Sequence, residues 1–139
     1  MIDRAIIDTP IWIGAHWNRD QWWQQSNEIL DALRGGKIRT AHVTDYVMVE
    51  TVNFLLRKGN PEIAQQALDT FMSKRVRICY VDALLFAKIQ RIFAQHPGLS
   101  LTDCSLIALA EELDLKAIFS FDKGFDRVEG IERREEFKE

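Results

Sequence analysis

Short β-branched runs alternating with longer amphipathic segments predict an α/β fold. The expected architecture is a three-layer α/β/α sandwich around a mainly parallel central sheet. Three observations carry this reading. RAIID, IRTAHV, VRICYV and KAIFSF are brief runs rich in aliphatic, β-branched or aromatic residues, as buried strands are. The stretches between them place apolar residues at helical spacing. No Pro/Gly/Ser-rich linker, internal repeat or low-complexity tract interrupts the pattern, so residues 1–139 are expected to form one domain.

Taken in order, Arg4 to Asp8 reads as a buried strand stopped by an acid. Pro10 suits the first turn of a helix, where its missing N–H costs nothing. His16 to Asp20 reads as a loop, and Gln21 to Leu33 as a helix closed by Gly35-Gly36. Trp22, Ile29, Leu30 and Leu33 are among its apolar positions. Ile38 to Val43 is the second strand. Thr44 or Asp45 can cap the next helix, which runs to about Lys58 and stops at Gly59. Val47, Val49, Val52, Phe54, Leu55 and Leu56 give that helix a broad apolar face.

Asn60-Pro61-Glu62 supplies a cap, a proline and an acid at the positive end of a helix dipole. Ile63, Ala67, Leu68, Phe71 and Met72 then fall on one face. Val76 to Val81 is the third strand, and Asp82 caps a helix from Ala83 to Gln95 that His96-Pro97-Gly98 breaks. Ser100-Leu101-Thr102-Asp103 opens another helix through Ile107, Ala110 and Leu113. Lys116 to Phe121 is the fourth strand, ending at Asp122, and a last short strand falls near Ile131.

Composition narrows the function classes. With 47% hydrophobic and 28% charged residues the chain is globular rather than disordered. A domain of this length buries about two-thirds of its unfolded surface and needs no disulfide or structural metal. Cys79 and Cys104 lack CxxC spacing and read as two reduced thiols. The acidic start MIDRAIID is no signal peptide, and no apolar run approaches ~20 residues, so a soluble, cytoplasmic protein is expected. A net charge of −3 argues against a wholly basic nucleic-acid binder but not against a local basic track.

In parallel sheets ligands bind outside the carboxyl ends of the strands, and acids gather there. Asp8 follows the first strand, Asp122 the fourth, Asp103 sits at a helix start, and Glu50 lies among valines on a helix. Each has an ordinary reading: a cap for Asp8 or Asp103, a turn for Asp122, a helix edge for Glu50. Together they are expected to form an acidic site. Clustered carboxylates repel one another and need a positive partner to stay ionised, and a hard divalent cation such as Mg²⁺, which prefers oxygen ligands, fills that role.

The segments IIDTPIWI, VMVETVNFLLRKG, LSLTDCSLIALAEELDL and AIFSFDKGFDRVEGI resemble the PIN-domain family, in particular VapC-type toxin ribonucleases. The resemblance spans nearly the whole chain, in order and in spacing. It implies a parallel sheet flanked by helices and an acidic pocket binding Mg²⁺ or Mn²⁺. Asp8, Glu50, Asp103 and Asp122 match the family's acidic positions. Asp8 and Asp103 match those most often assigned as metal ligands, and Thr9 and Ser120 match small hydroxyl positions that support the pocket. Pro10 and Gly124 depart from the pattern, the latter where many relatives carry a further acid, a role that Asp126 is a candidate to take. The resemblance also implies cleavage leaving a 5′-phosphate and a 3′-hydroxyl, a homodimer built on the early helices, and a small antitoxin whose C-terminal segment covers the pocket.

The expected chemistry is metal-assisted hydrolysis of RNA phosphodiester bonds. Neutralising four acids would turn the net charge slightly positive, so local cations matter: Arg34, Lys37 and Arg39; Arg57 and Lys58; Lys74, Arg75 and Arg77. Arg57, Lys58, Lys74 and Arg75 are the RNA-contact candidates. Trp12, Trp17, Trp22 and Trp23 offer base stacking, although core packing or a dimer interface is the commoner use of tryptophan. The alternatives are a PIN-fold binding module without cleavage, a metal-free ribonuclease using two of His16, His42 and His96, a receiver domain, and a haloacid-dehalogenase-like phosphatase. The phosphatase needs a second acid where Pro10 stands, a receiver needs an early acid pair that is not obvious, and the histidines show no pairing signal.

Overall fold

A computed structural model describes residues 1–138. Strand β1 (Ile2–Ile7) leads to helices α1 (Thr9–His16) and α2 (Trp23–Arg34), then to β2 (Ile38–Thr44). Helices α3 (Asp45–Lys58) and α4 (Pro61–Phe71) precede β3 (Val76–Cys79), and α5 (Ala83–Gln95) and α6 (Leu101–Leu113) precede β4 (Ala117–Phe119). A 3-10 turn (Lys123–Arg127) connects β4 to β5 (Glu132–Arg134). The sheet order is β3-β2-β1-β4-β5, and every described pairing is parallel.

This order places the site. From β1 the chain steps outward to β2 and β3, then returns to the other side of β1 to lay down β4 and β5. Right-handed crossovers therefore put the mutually packed group α1–α4 on one face and the pair α5–α6 on the other. The direction reverses between β1 and β4, so the carboxyl ends of those two strands flank a crevice that no crossover covers. Ile6, Ile7, Ile118 and Phe119 are fully buried along this seam. Helix α6 is buried continuously from Cys104 to Ala110. An all-round apolar helix belongs inside a fold, and Asp103 directly precedes this buried run.

Several boundaries differ from the sequence expectation. Strand β1 begins at Ile2 and ends at Ile7, leaving Asp8 as the cap of α1. Helix α2 starts at Trp23 rather than Gln21, because Asp20 accepts from the Trp22 N–H and closes a turn there. Trp22 itself stacks on Phe121 at 4.5 Å. Strand β3 stops at Cys79, opposite Thr44 where β2 ends; Val81 N–H turns instead to the Asp45 carboxylate. Strand β4 is only Ala117–Phe119, and the last strand lies just beyond Ile131. The apolar face of α3 is narrower than expected, since Val49 and Leu56 are exposed, as is Met72 after α4. Thr44 occupies the α3 cap position, but its hydroxyl bonds Ser105 and does not cap.

Candidate acidic site

Asp8 stands where β1 meets α1. Its N–H donates to the Phe119 carbonyl, extending the β1–β4 ladder by one rung. Its side chain is only 2% exposed. Oδ1 accepts from the Thr9 N–H at 2.8 Å and Oδ2 from the Ser120 hydroxyl at 2.6 Å. The Ser120 oxygen in turn accepts from the Asp122 N–H at 2.9 Å. One hydroxyl thus ties the acid after β1 to the backbone of the acid after β4. Asp122 accepts from the Gly124 N–H at 2.8 Å. A Cβ at Gly124 would come within 2.9 Å of Leu99 Cδ2 and 3.0 Å of that same Asp122 oxygen, so a larger residue there would disturb the turn that aims Asp122.

Asp103 is the third residue of α6 rather than its cap. Ser100 caps the helix, and Asp103 reaches back to the Ser100 N–H in a capping box. Glu50 is exposed on α3 and accepts from the Thr102 hydroxyl at 3.0 Å. Thr102 was missed as a contributor in the sequence reading, although it sits directly before Asp103. Asp103, Asp122 and Glu50 each use one carboxylate oxygen for these bonds, and the other makes none among the described residues.

Electrostatics joins the four. Burial pushes the Asp8 carboxyl up to about 7; the Ser120 bond opposes this, while the charges of Asp103 and Asp122 add to it. Burial also raises Asp103, and Asp122 and Glu50 raise it further against the Ser100 bonds. Among the described residues none of the four acids forms an ion pair. A buried carboxylate without a cation either binds a proton or attracts a cation from solution.

The other candidates scatter. Thr9 is buried beside Asp8, and its hydroxyl has no hydrogen-bond partner among the described residues. Asp126 is held by Arg133 through two bonds of 2.9 and 3.2 Å, and this guanidinium lowers its pKa. Its charge is thereby satisfied outside the acidic group. Arg57 and Lys58 end α3, while Lys74 and Arg75 precede β3 and so lie at the amino edge of the sheet, opposite the acids. His16 bonds the Trp12 carbonyl and Thr70, His42 bonds Thr40, and His96 caps α5, so no two histidines pair.

The donor set is entirely oxygen, which suits Mg²⁺ or Mn²⁺. Among the described residues no three His, Cys, Asp or Glu side chains converge tightly enough to hold an ion unaided. A cation that keeps several waters and takes one or two carboxylates, as Mg²⁺ does, needs no third side chain. The uncompensated Asp8 is the observation in favour. Asp8 and Asp103 are the residues that would hold the ion.

A family model for the PIN domain matches residues 5–131. The chain is 33% identical over 125 residues to a VapC ribonuclease from Archaeoglobus fulgidus, covering 87% of this chain and 78% of that one. Among solved structures it is similar to VapC20 of Mycobacterium tuberculosis, a sarcin-ricin-loop-cleaving toxin. That likeness has a TM-score of 0.76 at 20% identity and covers 86% of this chain and 90% of that one. It is also similar to VapBC2 from Rickettsia felis bound to a DNA fragment from their promoter. There the TM-score is 0.70 at 16% identity, covering 94% of this chain and 97% of that one. At these identities the structural likeness speaks for the fold.

Proposed function

The chain belongs to the PIN-domain family, and from that membership we propose that it is a metal-dependent endoribonuclease, the toxin of a toxin–antitoxin pair. The observation that carries the reading is Asp8, a buried carboxylate at the sheet's switch point, coupled to Asp103 and Asp122 and without a cationic partner among the described residues. The 33% identity to a VapC ribonuclease supports the activity and the substrate class.

In this reading Asp8 and Asp103 hold Mg²⁺ or Mn²⁺, and Ser120 fixes the orientation of Asp8. The bound cation supplies charge neutralisation at the phosphate and an acidified water. Asp122 and Glu50 each keep one oxygen unbonded among the described residues, which suits them to orient a water and accept its proton as it attacks phosphorus. Asp122 rather than Asp126 completes the set, because Asp126 is neutralised by Arg133. Residues 1–139 act as one domain.

A small antitoxin covers the acids, in line with the toxin–antitoxin complexes that this fold resembles. A second copy of the chain pairs with the first, and the exposed Val49 and Leu56 on α3 are apolar surface available to it. No described helix is long and apolar enough to cross a membrane.

The test is cleavage of single-stranded RNA by the purified chain with Mg²⁺ or Mn²⁺. Asp8→Asn and Asp103→Asn should abolish it, and the products should carry a 5′-phosphate. Expression alone should arrest growth, and the Asp8→Asn chain should not. Metal-dependent RNA binding without cleavage would instead favour the non-cleaving module.

A further inference from the structure

We propose that the cleft at the far end of α1 and α3 is a nucleotide-binding subsite that holds the RNA strand several nucleotides from the bond to be cut. The proposal rests on the ribonuclease reading and adds a place where substrate is gripped.

The cleft has a volume of about 570 Å³. His16, Trp17, Arg19, Trp23, Lys58 and Asn60 are among its lining residues, and the described lining includes no carboxylate. Trp23 is 41% exposed, an unusual state for so large an apolar side chain. Trp17 is held edge-on against Phe54 at a centroid distance of 5.9 Å. Arg19 and Lys58 form no ion pair among the described residues. Asn60 caps α4, whose positive dipole end opens on the cleft. Aromatic faces beside unpaired cations are what single-stranded nucleic acid binds: bases stack and phosphates meet the charges.

The position fits as well. Strands β1 and β2 are parallel, so α1 and α3 both start at the carboxyl edge where the acids lie. The two helices pack together through Ile13 and Leu55, and both end at this cleft. From Asp8 to His16, and from Glu50 to Lys58, is eight residues of helix, about 12 Å in each case. At the ~3.4 Å rise of a stacked strand this spans three or four nucleotides. The acids repel phosphate until a cation is bound, so a cationic grip one step away supplies affinity that the catalytic edge lacks.

The test measures equilibrium binding of a fluorescein-labelled 12-nucleotide RNA to the cleavage-deficient Asp8→Asn chain in Mg²⁺, across a salt series. Trp23→Ala should weaken binding roughly 5- to 10-fold and leave the salt dependence unchanged. Lys58→Ala should weaken it and reduce the slope of log Kd against log salt by about 0.7. A dinucleotide, too short to span from the acids to the cleft, should bind the parent more weakly than the 12-mer, and Arg91→Ala, on exposed α5 surface, should change nothing. Both variants must keep the parent's thermal midpoint. A 12-mer bound equally by all forms would overturn the subsite and leave the cleft to a protein partner. Because binding is read on an inert chain, absence of cleavage by the wild type would defeat the ribonuclease reading without deciding this one.

Discussion

Asp8 and Asp126 both connect to Ser120, Asp8 directly and Asp126 through Arg133, and are treated in opposite ways. Asp126 is exposed and held in a two-bond fork by Arg133, whose guanidinium also reaches the Ser120 carbonyl. Asp8 is buried, receives only an N–H and a hydroxyl, and faces other acids. Burial costs a carboxylate far more than exposure does. A fold built for stability alone would give its cation to Asp8. The chain gives it to the acid that needs it less, and this contrast separates a structural carboxylate from one left waiting for an external cation.

The largest effect should come from exchanging the two acids for their amides. Asp8→Asn is expected to lower cleavage on the order of 10³-fold or more, while raising the stability of the metal-free protein, because an amide is buried more cheaply than a carboxylate. Asp126→Asn should do the reverse, with activity within a few-fold of wild type and some stability lost. Cleavage rates and urea midpoints for both variants check this. Equal loss of activity from both would erase the distinction.

The pH dependence sharpens it. In the folded chain the Asp8 carboxyl sits at about 7, against an ordinary value of 3.8. Folded protein therefore keeps a proton that the unfolded chain releases between these values. Metal-free stability is highest below the ordinary value and falls as pH rises through about 7, by up to about 4 kcal/mol from this group. Mg²⁺ should offset the fall, so its stabilising effect should grow from about pH 5 to about pH 8. Urea titrations with EDTA and with Mg²⁺ at both ends of that range measure it. A stabilisation independent of pH would mean that Asp8 is already ionised without metal.

Much of the acidic edge was legible in the sequence, because Asp8 and Asp122 directly follow apolar runs and strand ends are where a parallel sheet binds ligands. Asp103 was legible as a helix-start acid, but its place in the capping box emerged only with Ser100 beside it. The exposure of Val49 and Leu56 was not legible, and for Glu50 a helix edge was only one of the readings open. All sit among apolar neighbours on α3, and which of them face outward depends on how α3 is rotated against its neighbours. Nor was the Asp126–Arg133 fork, which requires β5 to lie beside the 3-10 turn. The early ends of β3 and β4 were equally hidden, since a strand stops where its partner does, and that is a property of register rather than composition.

Ser120 connects the two halves of the comparison, and its removal should have an intermediate effect. Its hydroxyl donates to Asp8 and so lowers that carboxyl's pKa against the effect of burial. Ser120→Ala should push Asp8 further up and shift the rising limb of the pH–rate profile to higher pH. The metal concentration giving half-maximal rate should increase 10- to 100-fold, as is typical when the partner of a metal ligand is removed. A lowered rate at saturating metal with an unchanged pH profile would instead make Ser120 a packing residue.

The smallest effect tests whether the structural half is only structural. Arg133 holds Asp126, Glu135 and the Ser120 carbonyl together. Arg133→Met keeps the length of the side chain and removes its charge. Arg133 itself is largely covered, but both of its acid partners are more than half exposed, so solvent screens the pairs; the thermal midpoint should fall by about 2–4 °C, with activity within a few-fold of wild type. The Ser120 carbonyl is one route by which the change could reach Asp8, and the Ser120 N–H, which donates to the Arg134 carbonyl, is another. If Arg133→Met raised the metal requirement as much as Ser120→Ala does, the fork at Asp126 would be setting the backbone that carries the Asp8 hydrogen bond. The two acids would then belong to one mechanism, and Arg133 would act as a positioning residue for the metal site.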